Sequence, residues 1–187
     1  MKLTGFLDSN AFRVLETLIN KPFHLRELAE EMGLAPSTIY KNLSRFQRNK
    51  MVLVENVKNR KIFRLNSDSP LTNLAVGFLM TDKIIHSKAF SKLVRLKPKG
   101  IFLFGTAHNG KMTATSDIDL AVFFEKKPDS FKLSQIKSVL SNELSREVDL
   151  IVLTKEKVQS MREEEAELLN QIVNKSTVLW GEPIDLD

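Results

Sequence analysis

Ile101-Phe102-Leu103-Phe104-Gly105-Thr106, and after a short loop Ser116-Asp117-Ile118-Asp119-Leu120-Ala121-Val122-Phe123-Phe124, is the stretch that decides how this chain of 187 residues is read. The first apolar run is a buried strand that enters a loop at a glycine. The second is a strand with two acids at its start. Side chains alternate along a strand, so Asp117 and Asp119 are expected on one face and Ile118, Leu120 and Val122 on the other. Two carboxylates beside a core repel each other and are poorly solvated, and a hard divalent cation relieves both problems. A helix is expected over 133–144, then a third strand, Glu147-Val148-Asp149-Leu150-Ile151-Val152-Leu153, with one acid inside it. Aspartate in a buried strand needs a partner. A neighbouring strand bearing Asp117 and Asp119 would supply one through a shared metal.

Gly105-Thr106, then Asp117-Ile118-Asp119 twelve residues after the glycine, then a lone acid on a later strand, resembles the minimal nucleotidyltransferases of the DNA polymerase β superfamily. The resemblance spans about residues 98–183, and Thr177-Val178-Leu179-Trp180-Gly181-Glu182-Pro183 resembles the family's final strand. It implies a small mixed-sheet domain over 99–187. It implies that Gly105, Thr106 and Lys111 contact the nucleoside triphosphate. Asp117, Asp119 and Asp149 become the catalytic metal ligands for two magnesium (or manganese) ions, with Asp149 a ligand or general base. Two such ions can stabilise the entering and leaving oxygens of an in-line displacement, and backbone N–H groups at a loop suit phosphate. The chain departs from the family in its loop. Members usually read Gly-Ser-Arg-Ala-Arg-Gly, whereas Gly105-Thr106-Ala107-His108-Asn109-Gly110 places Ala107 and Asn109 at the arginine positions. Lys111 offers a point charge rather than a planar fork. His108 reads first as a surface-loop residue and second as a phosphate contact. Glu163, Glu164, Glu165 and Glu167, on a helix expected near 159–174, read as a solvated face.

The front third has a different pattern. Asp8 or Ser9 can cap a helix running to about Asn20, with Phe12, Leu15, Leu18 and Ile19 facing inward. Leu25, Leu28, Ala29 and Met32 mark a second helix ended by Gly33. Pro36 suits the first turn of a third helix, which buries Ile39, Leu43 and Phe46. Met51–Val57 and 61–65 read as a hairpin turned at Lys58-Asn59-Arg60. Three helices and a basic hairpin resemble a winged helix-turn-helix domain, over about residues 8–66, within a unit of 1–68. The resemblance implies double-stranded DNA as partner, contacted by Ser37, Thr38, Tyr40, Lys41, Arg45 and Arg48 on the third helix and by Lys58, Arg60 and Lys61 on the wing. Charge agrees: residues 41–64 carry eight basic side chains against Glu55 alone, and such a patch gains affinity by releasing counterions from phosphate.

Between the two, residues 69–98 read as one long amphipathic connecting helix. Leu71, Leu74, Ala75, Phe78 and Leu79 form a stripe that must bury against something, either the second domain or a second copy in a homodimer. The fold class is therefore α+β: an N-terminal winged helix-turn-helix, a connecting helix, and a C-terminal mixed-sheet nucleotidyltransferase.

Composition bounds the rest. Residues 1–68 and 69–99 each carry a net charge of +5, and residues 100–187 carry −5. A basic front suits a polyanion and an acidic rear can gather carboxylates round a cation. The chain has no cysteine, which excludes thiol chemistry and thiolate metal sites and makes a reducing cytoplasm the default. Met1-Lys2-Leu3-Thr4-Gly5 opens no signal-peptide core, and no apolar run approaches the roughly 20 residues that span a bilayer. The leading expectation is metal-dependent transfer of a nucleoside monophosphate to an unidentified acceptor, localised or regulated through DNA. The alternatives are a DNA-binding transcription regulator whose rear domain binds nucleotide without turnover, and an antitoxin of the kind that pairs with helical HEPN-type toxins.

Overall fold

The computed structural model describes residues 9–184; Asp8, the alternative cap of the first helix, lies outside the described residues. The described chain separates into two compact units. One runs through Leu79 and includes Gly110–Thr115; the other takes Met80–Asn109 and the residues from Ser116 on.

The front unit builds from α1 (Ser9–Asn20), β1 (Phe23–His24), α2 (Leu25–Met32), α3 (Pro36–Arg48), β2 (Val52–Val57) and β3 (Arg60–Leu65). Val14, Leu15 and Leu18 of α1, Leu28 and Met32 of α2, and Ile39, Leu43 and Phe46 of α3 meet Met51, Val52 and Phe63 in one core. α2 stops at Gly33, φ 62°. There the Gly33 N–H returns to the Glu30 carbonyl and the Leu34 N–H to Ala29, a left-handed turn that glycine makes without Cβ strain. β2 and β3 pair as the expected hairpin. Lys58 and Asn59, φ 47° and 62°, form its tip, the pair of left-handed residues that a tight two-residue turn demands. β1 was not anticipated. It pairs antiparallel with β3 and completes a sheet in the order β1-β3-β2. Two residues are too few to show alternation in sequence.

The long connecting helix is a correction. Residues 69–98 form two helices, α4 (Pro70–Ile85) and α5 (Lys88–Arg95). Ser87 breaks the run: its backbone is extended and its hydroxyl accepts the Phe90 N–H, capping α5. A cap of this kind stabilises a helix start by about 1 kcal/mol, which offsets part of the cost of the break. The stripe also differs from expectation. Ala75 and Leu79 are buried, but Leu71, Leu74 and Phe78 are exposed; Phe78 stacks on Phe12 with ring centres 5.6 Å apart.

The rear unit holds β4 (Gly100–Phe104), α6 (Gly105–Asn109), β5 (Ile118–Phe123), α7 (Ser130–Leu144), β6 (Val148–Leu153), α8 (Lys155–Glu164), α9 (Ala166–Asn174) and β7 (Thr177–Gly181). Its strands form one mixed sheet in the order β6-β5-β4-β7, parallel between β5 and β6 and antiparallel elsewhere. The α+β class and the mixed sheet are as expected. A parallel pair needs a crossover, which α7 provides, started by an Asp129 side chain that accepts from Phe131 and Lys132 N–H. Phe102, Phe104, Ala121 and Leu153 pack against Val158 and Met161 of α8 and Leu169 and Ile172 of α9. Where one helix was expected near 159–174 there are two, divided at Glu165, whose carboxylate pairs with Lys157 at 2.8 Å. No described helix is long and apolar enough to cross a membrane.

Candidate active site

The site begins with strand register. Phe104 pairs with Asp119 across β4 and β5, and Asp119 pairs with Asp149 across β5 and β6. Residues in one cross-strand row project to the same face. Asp119 and Asp149 therefore share the face of Phe104, at the end of the core that Ala121 and Leu153 continue inward. Asp117 stands differently from its expected place inside the strand. β5 begins only at Ile118, whose N–H bonds the Glu147 carbonyl, so alternation does not set the direction of Asp117, which is exposed. The approach to β5 is held by Arg146, whose guanidinium donates to the Ser116 carbonyl at 3.1 Å.

The three acids act on one another. Partial burial raises the Asp119 carboxyl above its ordinary range, and the charges of Asp149 and then Asp117 push it the same way. Among the described residues no group of three or more acids or histidines stands placed to hold a metal ion. Asp149 instead has Lys137 of α7 at 3.7 Å, a partner sequence reading missed, since nothing local distinguishes that lysine from others on a helix. The oxygens of these carboxylates are of the kind a hard cation prefers, and the one on Asp119 is partly desolvated and repelled by the other two.

Gly105 closes the site on the other side. It opens α6 at φ 66°, and a Cβ there would run into the Asp119 carboxylate. The turn and the acid thus occupy one place, and glycine satisfies both demands. Thr106 is half-buried and Ala107 fully buried. His108 corrects its reading as a surface-loop residue. It is half-buried, and its Nδ1 shares a hydrogen bond with Thr177 Oγ of β7 at 2.9 Å. Burial lowers its pKa. Lys111 is exposed and falls in the Gly110–Thr115 segment that belongs to the front unit.

In the front unit Ser37, Tyr40, Lys41, Arg48, Lys58, Arg60 and Lys61 are exposed and Thr38 is half-buried. Arg45, expected to face outward with them, is half-buried. Its guanidinium donates to Asn42 at 3.0 Å and lies 5.8 Å from the Phe46 ring centre. Asn42 in turn donates to the Thr38 carbonyl.

The Asp119 environment makes a stability prediction. The folded chain holds that proton more tightly than the unfolded chain, so stability falls as pH rises from the ordinary carboxylate range through the raised folded value. Asp119→Asn removes the titration. In EDTA at neutral pH the variant is expected to melt above wild type, with the advantage vanishing as pH drops below the ordinary carboxylate range. Calorimetry at stepped pH reads this directly; equal melting at neutral pH would show that the charge is not strained.

Residues 87–183, just over half the chain, match the family described as polymerase beta, nucleotidyltransferase. Two provisionally named protein adenylyltransferases of Methanocaldococcus jannaschii are also similar. One is 42% identical over 29% of this chain and 64% of its own length. The other is 36% identical over 31% of this chain and 59% of its own length. The chain thus spans less than two thirds of either relative. Among solved structures, a toxin–antitoxin complex with AMP-PNP aligns at 29% identity and TM-score 0.40 over 55% of this chain and 73% of that one. A tri-AMPylated Shewanella oneidensis HEPN toxin in complex with MNT antitoxin aligns at 27% identity and TM-score 0.39, over 57% and 73%. At such TM-scores neither superposition bears on the fold or assembly of this chain.

Proposed function

The chain belongs to the polymerase beta nucleotidyltransferase family, and from that membership we propose that it transfers a nucleoside monophosphate from a nucleoside triphosphate to an acceptor hydroxyl, while its front unit binds double-stranded DNA. The observation that carries the transfer reading is the Asp119–Asp149 row set against the glycine turn of Gly105. Asp117, Asp119 and Asp149 would hold divalent ions, magnesium or manganese, which supply charge neutralisation at the transferring phosphoryl group. Gly105 and Thr106 would turn backbone N–H groups and a hydroxyl toward phosphate. Asp149, exposed at the end of the row, would accept the proton of the attacking hydroxyl, and the Lys137 ammonium beside it offsets repulsion from Asp119.

The names of the two archaeal relatives favour ATP as donor and a protein as acceptor. A protein encoded beside this chain, of the helical HEPN toxin type if the chain is an antitoxin, is the first acceptor to try. Incubation with α-labelled ATP, magnesium and each neighbouring gene product tests the reading: label should move to protein, and its absence from every acceptor counts against transfer. The second reading, a DNA-binding transcription regulator that senses nucleotide without turnover, is favoured by Ala107 and Asn109 at the arginine positions. The cysteine-free composition suits action in the cytoplasm.

DNA binding rests on the exposed basic side chains of α3 and the β2–β3 turn. A winged helix-turn-helix reading places α3 in the major groove and the turn on the adjacent backbone. A homodimer would present two such faces to paired half-sites, and the exposed Leu71, Leu74 and Phe78 favour association. Replacing Lys41, Arg48 and Arg60 by glutamine should weaken duplex binding by about one to two orders of magnitude at physiological salt, and lower the salt slope by roughly three. Arg45 is left out because it is engaged within the fold. Fluorescence anisotropy across a salt series reads both quantities, and an unchanged slope would remove this face from consideration.

A further inference from the structure

We propose that His108 is a positioning residue of the nucleotide site: bonded to Thr177, it fixes the Gly105–Asn109 turn in the shape that phosphate must meet. The proposal rests on the nucleotidyl-transfer reading above.

A helix of five residues, as α6 is, has too few internal hydrogen bonds to hold itself. Its shape must come from what it is tied to. Upstream, β4 runs directly into Gly105. Downstream, the chain leaves at Gly110 through another left-handed residue, φ 71°. Between them His108 reaches out of α6 to Thr177, 69 residues away in sequence, at 2.9 Å. Thr177 is itself the register partner of Leu103 on β4, two residues before Gly105. The path from Leu103 through Gly105 and His108 to Thr177 and back to Leu103 is therefore a closed ring. Three of its links are strand backbone, strand pairing and a short turn, and the fourth is the imidazole–hydroxyl bond.

Partial burial disfavours the charged form of the ring and its bond to Thr177 ties α6 to β7, so its contribution is order rather than charge. That matters more here than in a loop with arginine forks. With Ala107 and Asn109 in place of arginines, phosphate must be held largely by backbone donors, and these bind only while the turn has its bound shape. If the turn holds that shape for a fraction of the time, apparent affinity falls by the same fraction.

The test uses the full chain and magnesium–ATP. His108→Ala and Thr177→Val each remove the bond; His108→Asn keeps a polar atom near the Nδ1 position, and Thr177→Ser keeps the hydroxyl. Nucleotide affinity is measured by calorimetry, KM and kcat by transfer, and the order of α6 by amide hydrogen exchange without nucleotide. Breaking the bond should raise Kd and KM about fivefold to tenfold, the equivalent of one partly buried hydrogen bond. It should leave kcat within about twofold and speed exchange at Thr106–Asn109. The double variant should be no worse than either single, because both remove one bond. Thr177→Ser and His108→Asn should recover most of the loss. Wild-type affinity in both single variants, or losses that add in the double, would overturn the tether while leaving the transfer reading in place. Wild type that neither binds nor transfers nucleotide overturns the two together.

Discussion

Asp117→Asn combined with Asp119→Asn is expected to lower nucleotide transfer by about a thousandfold or more, since a metal ion stabilises the transferring group by several kcal/mol. Asparagine keeps the size and polarity of aspartate but not the anionic oxygen that holds a hard cation. The fold should survive. Asp117 is exposed, and Asp119 carries its charge against burial and two like charges, so neutralisation relieves strain. DNA affinity should stay within about twofold of wild type, because the basic residues assigned to it sit on α3 and the β2–β3 turn. Transfer at a tenth of the wild-type rate in the double variant would mean that these carboxylates do not hold the ions that matter. Radiolabel transfer and anisotropy on the same preparations make the comparison.

Gly105→Ala should be nearly as damaging, by a different route. A side chain at φ 66° costs about 1–2 kcal/mol of backbone strain. The added Cβ also points into the Asp119 carboxylate, which must move off the row it shares with Asp149. Transfer is expected to fall by about two orders of magnitude, as misplacement of a reacting group by an ångström can do, and the melting temperature should drop. Gly33→Ala is the control. Gly33 has nearly the same φ, 62°, but open space where its Cβ would go. It should lose comparable stability and keep its transfer rate. If both variants transfer equally well, the contact between the turn and Asp119 has no part in the chemistry.

The contrast between these two glycines shows what sequence could and could not reveal. Gly33 is legible because its reason is local: an apolar period ends and a left-handed residue follows. Gly105 is legible as the end of an apolar strand, but the acid it makes room for lies on another strand. Long periodic elements were readable in the same way, including α1, α2, α3, the β2–β3 hairpin and the strands bearing Asp119 and Asp149. What escaped depends on pairing between distant segments or on a single capping residue. β1 is two residues long and exists because β3 offers it hydrogen bonds. The break at Ser87 rests on one hydroxyl against the Phe90 N–H, which an apolar pattern continuing from Ile84 to Val94 conceals. Asp117 falls outside β5 because Ile118 is the first residue to bond the Glu147 carbonyl. Lys137 beside Asp149 and His108 beside Thr177 are contacts between elements, and no spacing rule announces them.

The proposed metal–nucleotide site is tested most directly by the melting temperatures of wild type and Asp119→Asn, titrated with a non-hydrolysable ATP analogue in magnesium and in EDTA. Wild type is expected to rise by about 5 °C or more at a hundredfold excess over Kd in magnesium, and not at all in EDTA. Asp119→Asn should start higher and stay flat in both. A magnesium-dependent rise of equal size in the two proteins, or none in wild type, would contradict the assignment of Asp119 to the ions and of the Gly105 turn to the phosphates.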